Sequence, residues 1–171
     1  VAEAITKLVV RTWWEIVMQV KKTNDIDEKE VLYLAGIKKF FKDYFLLQNY
    51  ANYLSEFRKD QDKAEIYYKK ALAVNPDEPN NNGKYAGFLL GQGRKKHAIS
   101  FLVRAEKSVK AKKMEIRLHF YRLAHLPKTA EVSRKAIQEL LEQGVRLPGW
   151  DFSRNIEQAE QDGCPYVEEL R

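Results

Sequence analysis

Apolar residues between positions 46 and 108 repeat at two scales. Within a segment they fall three and four apart, and between segments they return after thirty-four or thirty-five residues. Ala64, Tyr67, Tyr68, Ala71 and Leu72 form one apolar stripe of a helix. Asn49-Tyr50-Ala51-Asn52-Tyr53-Leu54 returns thirty-five positions later as Lys84-Tyr85-Ala86-Gly87-Phe88-Leu89, whereas Ala64, Tyr68 and Ala71 return thirty-four later as Ala98, Leu102 and Ala105. The one-residue difference belongs in the turn inside each repeat, Arg58 to Asp62 in the first copy and Gly91 to Arg94 in the second. The pattern predicts two antiparallel helix pairs: Leu46 to Phe57 with Gln61 to Val74, and Asn82 to Leu90 with Lys95 to Ser108. Alanine at 64 and 71 lets a neighbouring helix come close while Tyr68 fills the space beside it. Asn75-Pro76 ends the first pair, because proline disfavours helix in the residue before it.

The flanks carry the pattern more faintly. Lys7, Arg11, Glu15 and Gln19 step by four along a polar stripe, leaving Ile5, Leu8, Val9, Trp13, Ile16, Val17 and Val20 apolar. Such a helix needs cover on two sides, as a degenerate first repeat or as a docking helix in which Trp13 and Trp14 meet another chain. Leu32-Tyr33-Leu34 parallels Ile66-Tyr67-Tyr68, and Asp27 with Glu30 reads as a capping box. Downstream, Met114 to Leu126 and Thr129 to Gln143 form a third pair, with Pro127 in the turn and Gly144 after the last helix. Asp151 is placed to cap a short helix with Phe152, Ile156 and Ala159 on one face, ending at Gly163 before Pro165.

These residues resemble the tetratricopeptide repeat family, of bacterial type. Ala51, Ala64, Tyr68, Ala71 and Pro76 match in the first copy, and Ala86, Gly93, Ala98 and Ala105 in the second. Leu102 stands where the aromatic is usual, no proline closes the second copy near Lys110, and both copies lack the early tryptophan. Gly149-Trp150-Asp151-Phe152-Ser153 with Gly163 and Pro165 resembles the tail of bacterial proteins carrying such repeats. The resemblance implies an all-α fold: a right-handed α-solenoid of antiparallel helix pairs, two clear units flanked by degenerate ones, with a C-terminal capping helix. The expected organisation is one domain over 1–171, with degenerate or docking helices at 1–44, repeats at 45–78 and 79–111, a degenerate repeat at 112–144 and a cap at 145–171.

Composition narrows the classes. With 44% hydrophobic and 32% charged residues over 171 positions, the chain can close a core and is not a disordered tail. The single Cys164 forms no internal disulfide and supplies no structural zinc site, so a reducing cytoplasm is the expected compartment. Lys7, Arg11 and Glu15 within Ala4 to Val20 argue against a membrane span. That stretch also lacks a signal-peptide ending, and the opening Val1 reads as a piece of a longer protein.

Candidate chemistry is sparse. His97, His119 and His125 are the only side chains that ordinarily titrate near neutrality, and the sequence offers no supporting catalytic constellation around them. His119 and His125 are six apart, unlike the i, i+4 pair of a zinc helix. Asp25, Asp27, Glu28 and Glu30 lack a calcium loop's glycine and oxygen spacing and suit a helix N-terminus instead. Asn81-Asn82-Gly83 and Gly91-Gln92-Gly93 are expected between helices, which excludes a phosphate loop. Tyr50, Tyr68, Tyr85 and Phe101 are expected in the interhelical core. Neither a metal nor a cofactor is expected, and no catalytic residues are assigned.

The reading that remains is a non-catalytic interaction module, binding a peptide or protein segment along the first helices of its pairs. Gln48, Asn49, Asn52, Ser55, Lys84 and Gly87 are the expected groove residues, and the cation at Lys84 suits an acidic partner. The alternative is a helical repeat that binds RNA or DNA through Arg94, Lys95, Lys96, Lys110, Lys112 and Lys113, consistent with a net charge of +6.

Overall fold

The computed structural model describes residues 12–147 and 151–171. The expectations for Val1, for Ile5, Lys7, Leu8, Val9 and Arg11, and for Gly149 and Trp150 lie outside them. All regular structure among the described residues is helical. The helices are α1 (Trp13–Lys22), α2 (Ile26–Lys39), α3 (Tyr44–Tyr53), α4 (Gln61–Val74), α5 (Pro79–Leu90), α6 (Lys95–Glu106), α7 (Lys112–His125), α8 (Ala130–Glu142), α9 (Ser153–Gln161) and α10 (Val167–Leu170). They associate as adjacent pairs: α1 with α2, α3 with α4, α5 with α6, α7 with α8 and α9 with α10. The chain divides between Pro76 and Asp77 into two compact units, each with its own internal contacts.

In the first unit, α2, α3 and α4 begin at aspartate caps. Asp25 accepts from the Glu28 N–H, Asp43 from the Leu46 N–H and Asp60 from the Lys63 N–H. Each carboxylate satisfies a donor that the helix leaves orphaned and sits at the positive end of the dipole. The cap of α2 therefore falls two residues before the expected Asp27, with Glu28 also receiving a hydrogen bond from Thr23 Oγ1. Ile16, Val17 and Val20 of α1 are buried. At Gly36 of α2 an added Cβ would lie 3.0 Å from both Ile16 and Leu46, so three helices converge there. Ala51, Ala64 and Ala71 are at most 1% exposed, and Tyr68 lies with them at 4%. Tyr33, Tyr50 and Tyr53 form a ring cluster with centroids 5.4–5.9 Å apart, and Tyr67 meets Tyr50 edge-on at 4.6 Å. Hydroxyls at the cluster's rim are satisfied: Tyr50 donates to Glu30 at 3.0 Å and Tyr53 to the Ile26 carbonyl at 2.6 Å.

The extra residue of the first repeat is absorbed in the helix rather than in a loop. Leu54–Arg58 widens into a π-helical turn at the end of α3, closed by Lys59 in the left-handed region at φ 57°. A π turn accommodates one residue more than an α turn. That accounts for the shift between the thirty-five- and thirty-four-residue spacings.

The second unit repeats the same packing without the insertion. Ala86, Ala98 and Ala105 are fully buried, with Leu102 at 1% in place of the aromatic and Tyr85 at 3% meeting Phe101 edge-on at 4.8 Å. Glu78 caps α5 through the Asn81 N–H and Pro79 stands at its first turn, so Asn81, Asn82 and Gly83 are helical rather than a connecting loop. Gly93, at φ 70°, makes the turn into α6. A short 3-10 turn at Pro127–Thr129 links α7 to α8. Ahead of α9, Asp151 accepts from both the N–H and the hydroxyl of Ser153, and Phe152 stacks on Phe120 at 4.1 Å.

Gly87 measures how tight this unit is. A Cβ there would sit 2.2 Å from the Tyr121 ring, whereas at Gly91 its nearest neighbours are 3.5 Å away. Gly87→Ala is therefore expected to destabilise the fold by about 1–3 kcal/mol through overpacking, and Gly91→Ala to stay within about 0.5 kcal/mol of wild type. Urea denaturation of the two variants checks this ordering.

Candidate binding face

At 100° per residue, Asn80, Gly83, Lys84, Gly87 and Gly91 share one face of α5, and Met114, Arg117, Leu118, Tyr121 and His125 share one face of α7. The two faces meet. An added Cβ on Gly83 would lie 2.4 Å from Met114 Cε and 3.1 Å from Leu118, and Gly87 lies under the Tyr121 ring. Arg117 Nη2 donates to Asn80 Oδ1 at 2.7 Å. A guanidinium keeps its charge under any folding condition, so its 4% exposure places a permanent cation just beneath this surface. Lys84, half-buried one turn after Asn80, adds a second cation to the same row.

The expected groove residues separate into two sets. Gln48 is fully buried in α3, which has α2 on one side and α4 on the other. Ser55 is 7% exposed in the π turn and donates to Gln61 Oε1 at 2.9 Å. Gly87 is covered by Tyr121. These three lie in the interior and correct the expectation of a groove wall. The other three remain half-exposed. Asn49 turns back to the Phe45 carbonyl at 2.7 Å, Asn52 accepts from the Tyr68 hydroxyl, and Lys84 lies on the α5 face. Asn80 and Arg117 were not singled out from the sequence, because no local pattern joins residues thirty-seven apart.

The basic residues do not form one patch. Arg94, Lys95 and Lys96 stand at the start of α6, and Lys110, Lys112 and Lys113 lie beyond its other end, so about 18 Å of helix axis separates the runs. Lys95 pairs with Asp162 at 3.0 Å, Arg94 reaches Gln92 at 3.3 Å and Lys112 donates to Gln143 at 2.7 Å. Lys96, Lys110 and Lys113 are exposed.

The histidines occupy three environments. His97 is exposed, His119 is half-buried with Nδ1 3.4 Å from Ser133 Oγ, and His125 is 1% exposed. His125 Nε2 lies 3.0 Å from Asn155 Oδ1, which requires the proton on Nε2 and leaves Nδ1 as a buried acceptor. Cys164 is partly buried, its Sγ 3.6 Å from the Leu123 carbonyl. Among the described residues, no group of three or more His, Cys, Asp or Glu side chains is placed to hold a metal ion. No described helix is long and apolar enough to cross a membrane.

No family model, curated protein or solved structure matches this chain.

Burial drives the His125 pKa down from 6.5 to about 4; the Asn155 hydrogen bond opposes the shift and the Lys95 charge adds to it. The unfolded chain therefore binds this proton near pH 6.5 and the folded chain only near pH 4. Stability from this group is complete above the unfolded value and is lost as pH falls toward the folded one, by on the order of 3 kcal/mol. Urea midpoints taken between about pH 7 and pH 4.5 should fall, and His125→Gln should flatten that part of the slope.

Proposed function

We propose that this chain is a non-catalytic interaction module, built from tetratricopeptide-type pairs, that holds an acidic segment of a partner protein against the first helices of those pairs. The observation that carries the reading is the row Asn80, Lys84 and Arg117 on the α5–α7 face. A half-buried lysine backed from beneath by a buried guanidinium charge attracts a carboxylate more strongly than a lysine standing free in water does, because the surrounding dielectric is lower. The Asn80 amide, held by Arg117, places a polar group of the kind that meets an extended backbone beside Lys84. The half-exposed amides Asn49 and Asn52 give the first unit polar groups of the same kind on α3, the first helix of its pair with α4.

The proposed family likeness is supported by the buried small residues and by their spacing. Both α3–α4 and α5–α6 bury three alanines at corresponding places, which supports the reading. An enzyme reading finds less to work with: among the described residues, the serine hydroxyl that faces an imidazole belongs to Ser133, which is 1% exposed. A nucleic-acid reading needs a continuous row of phosphate contacts, and the basic runs stand apart at the two ends of α6.

The test is fluorescence titration of a labelled glutamate-rich peptide and of a generic single-stranded RNA. The peptide is expected to bind, with Lys84→Glu weakening it roughly tenfold while the helical circular dichroism stays unchanged. Full affinity in that variant removes the α5–α7 face from the reading. Tighter RNA binding with a steep salt dependence replaces it with the nucleic-acid alternative.

A further inference from the structure

A separate cleft of about 360 Å³ opens in the second unit where the end of α6, one face of α7 and the start of α8 meet. Glu115, His119 and Arg122 line it from α7 at i, i+4 and i+7, Glu106 from α6, and Val132 and Ser133 from α8. Apolar side chains lie between these groups, Leu118 buried and Val132 70% exposed. The charged groups are not equivalent. Glu106 grips the Arg122 guanidinium through both oxygens, at 2.5 and 2.6 Å, so those two charges cancel and are held in place. Burial pushes the His119 imidazole below its ordinary pKa, against the opposing pull of Glu115 and Glu106, and so disfavours its charged form. Glu115 has no ion-pair partner among the described residues. The cleft thus holds one carboxylate in excess, a local reversal of sign in a chain whose net charge is +6.

We infer that this cleft takes a cationic group on an aliphatic stem, an ammonium or guanidinium of the lysine or arginine kind, with Glu115 as the counter-ion and His119 as a hydrogen-bonding partner. An apolar channel around a single carboxylate suits such a side chain, because the methylenes lie against Leu118 and Val132 while the head reaches the charge. The Glu106–Arg122 fork engages Arg122 and keeps it from neutralising Glu115. This site is independent of the α5–α7 face and stands whether or not that face binds an acidic segment.

The chemistry is shared by a partner's side chain and by a small free amine, and three probes separate them. Nα-acetyl-lysine methylamide, its uncharged counterpart Nα-acetyl-norleucine methylamide, and butylamine are each titrated into the ¹⁵N-labelled full chain. Saturable amide shifts at Glu115, His119 and Ser133 are expected with the two cations and none with the norleucine compound. Tighter binding of the capped lysine assigns the site to a peptide side chain, and equal binding assigns it to a free amine. Glu115→Gln, which keeps size and shape at a half-buried position, is expected to weaken binding roughly tenfold, and Glu115→Lys to abolish it. The inference is overturned if neither cation produces saturable shifts, if norleucine shifts the same amides equally, or if Glu115→Gln keeps full affinity.

Discussion

The distance at which one helix backbone can approach the next governs this molecule. Ala51, Ala64 and Ala71 in the first unit, and Ala86, Ala98 and Ala105 in the second, are nearly or completely buried. Their short side chains allow Tyr68, Leu102 and the neighbouring rings to fill the remaining volume. Dispersion between packed atoms is weak singly and falls away steeply with separation, so helices held an ångström further apart would forfeit much of it. The second unit carries the principle furthest. There Gly83 and Gly87 dispense with the methyl altogether, and Met114 and Tyr121 lie directly on the α5 backbone. The α5–α7 face exists because of that approach: Asn80 reaches Arg117 only where the helices already touch.

The helix pairs were legible because their signal is local. Gln61 to Val74 was expected and is α4 to the residue, and Lys95 to Ser108 differs from α6 only at its end. Small residues at a fixed period, an aromatic between them and a stop at Asn75-Pro76 all lie within one helix or its neighbour. The interior polar residues were not legible. Gln48 and Ser55 read as surface because an amide and a hydroxyl usually are, yet α3 is flanked on both sides. Asn81-Asn82-Gly83 read as a turn on composition, and the Glu78 cap with Pro79 overrode that by starting the helix earlier. Of the row proposed to bind, Lys84 follows from the repeat spacing, while Asn80 and Arg117 depend on a contact between pairs that no spacing encodes. The cleft at Glu115, His119 and Arg122 left a trace at i, i+4 and i+7, but such a trace is common on solvated helices.

Charge placement differs between the units. Three helices of the first begin at aspartates, as the dipole favours. In the second, α6 and α7 begin without side-chain caps and with lysines in the first turn, where a positive charge is disfavoured by a few tenths of a kcal/mol or more. Asp162 beside Lys95 and Gln143 beside Lys112 offset part of that cost. The Lys95 partner comes from the chain just after α9, so the C-terminal helices also serve the electrostatics of α6.

The π turn at Leu54–Arg58 reaches beyond its own helix. Arg58, near its end, extends to Asp27 at 2.6 Å and Glu30 at 2.5 Å on α2, tying the inserted turn to a segment some thirty residues earlier. An insertion inside a helix ordinarily loosens the strand of hydrogen bonds around it. Here the surplus residue became a tether. A lesion at Arg58 would therefore be felt first as a loosened second helix, far from the altered codon.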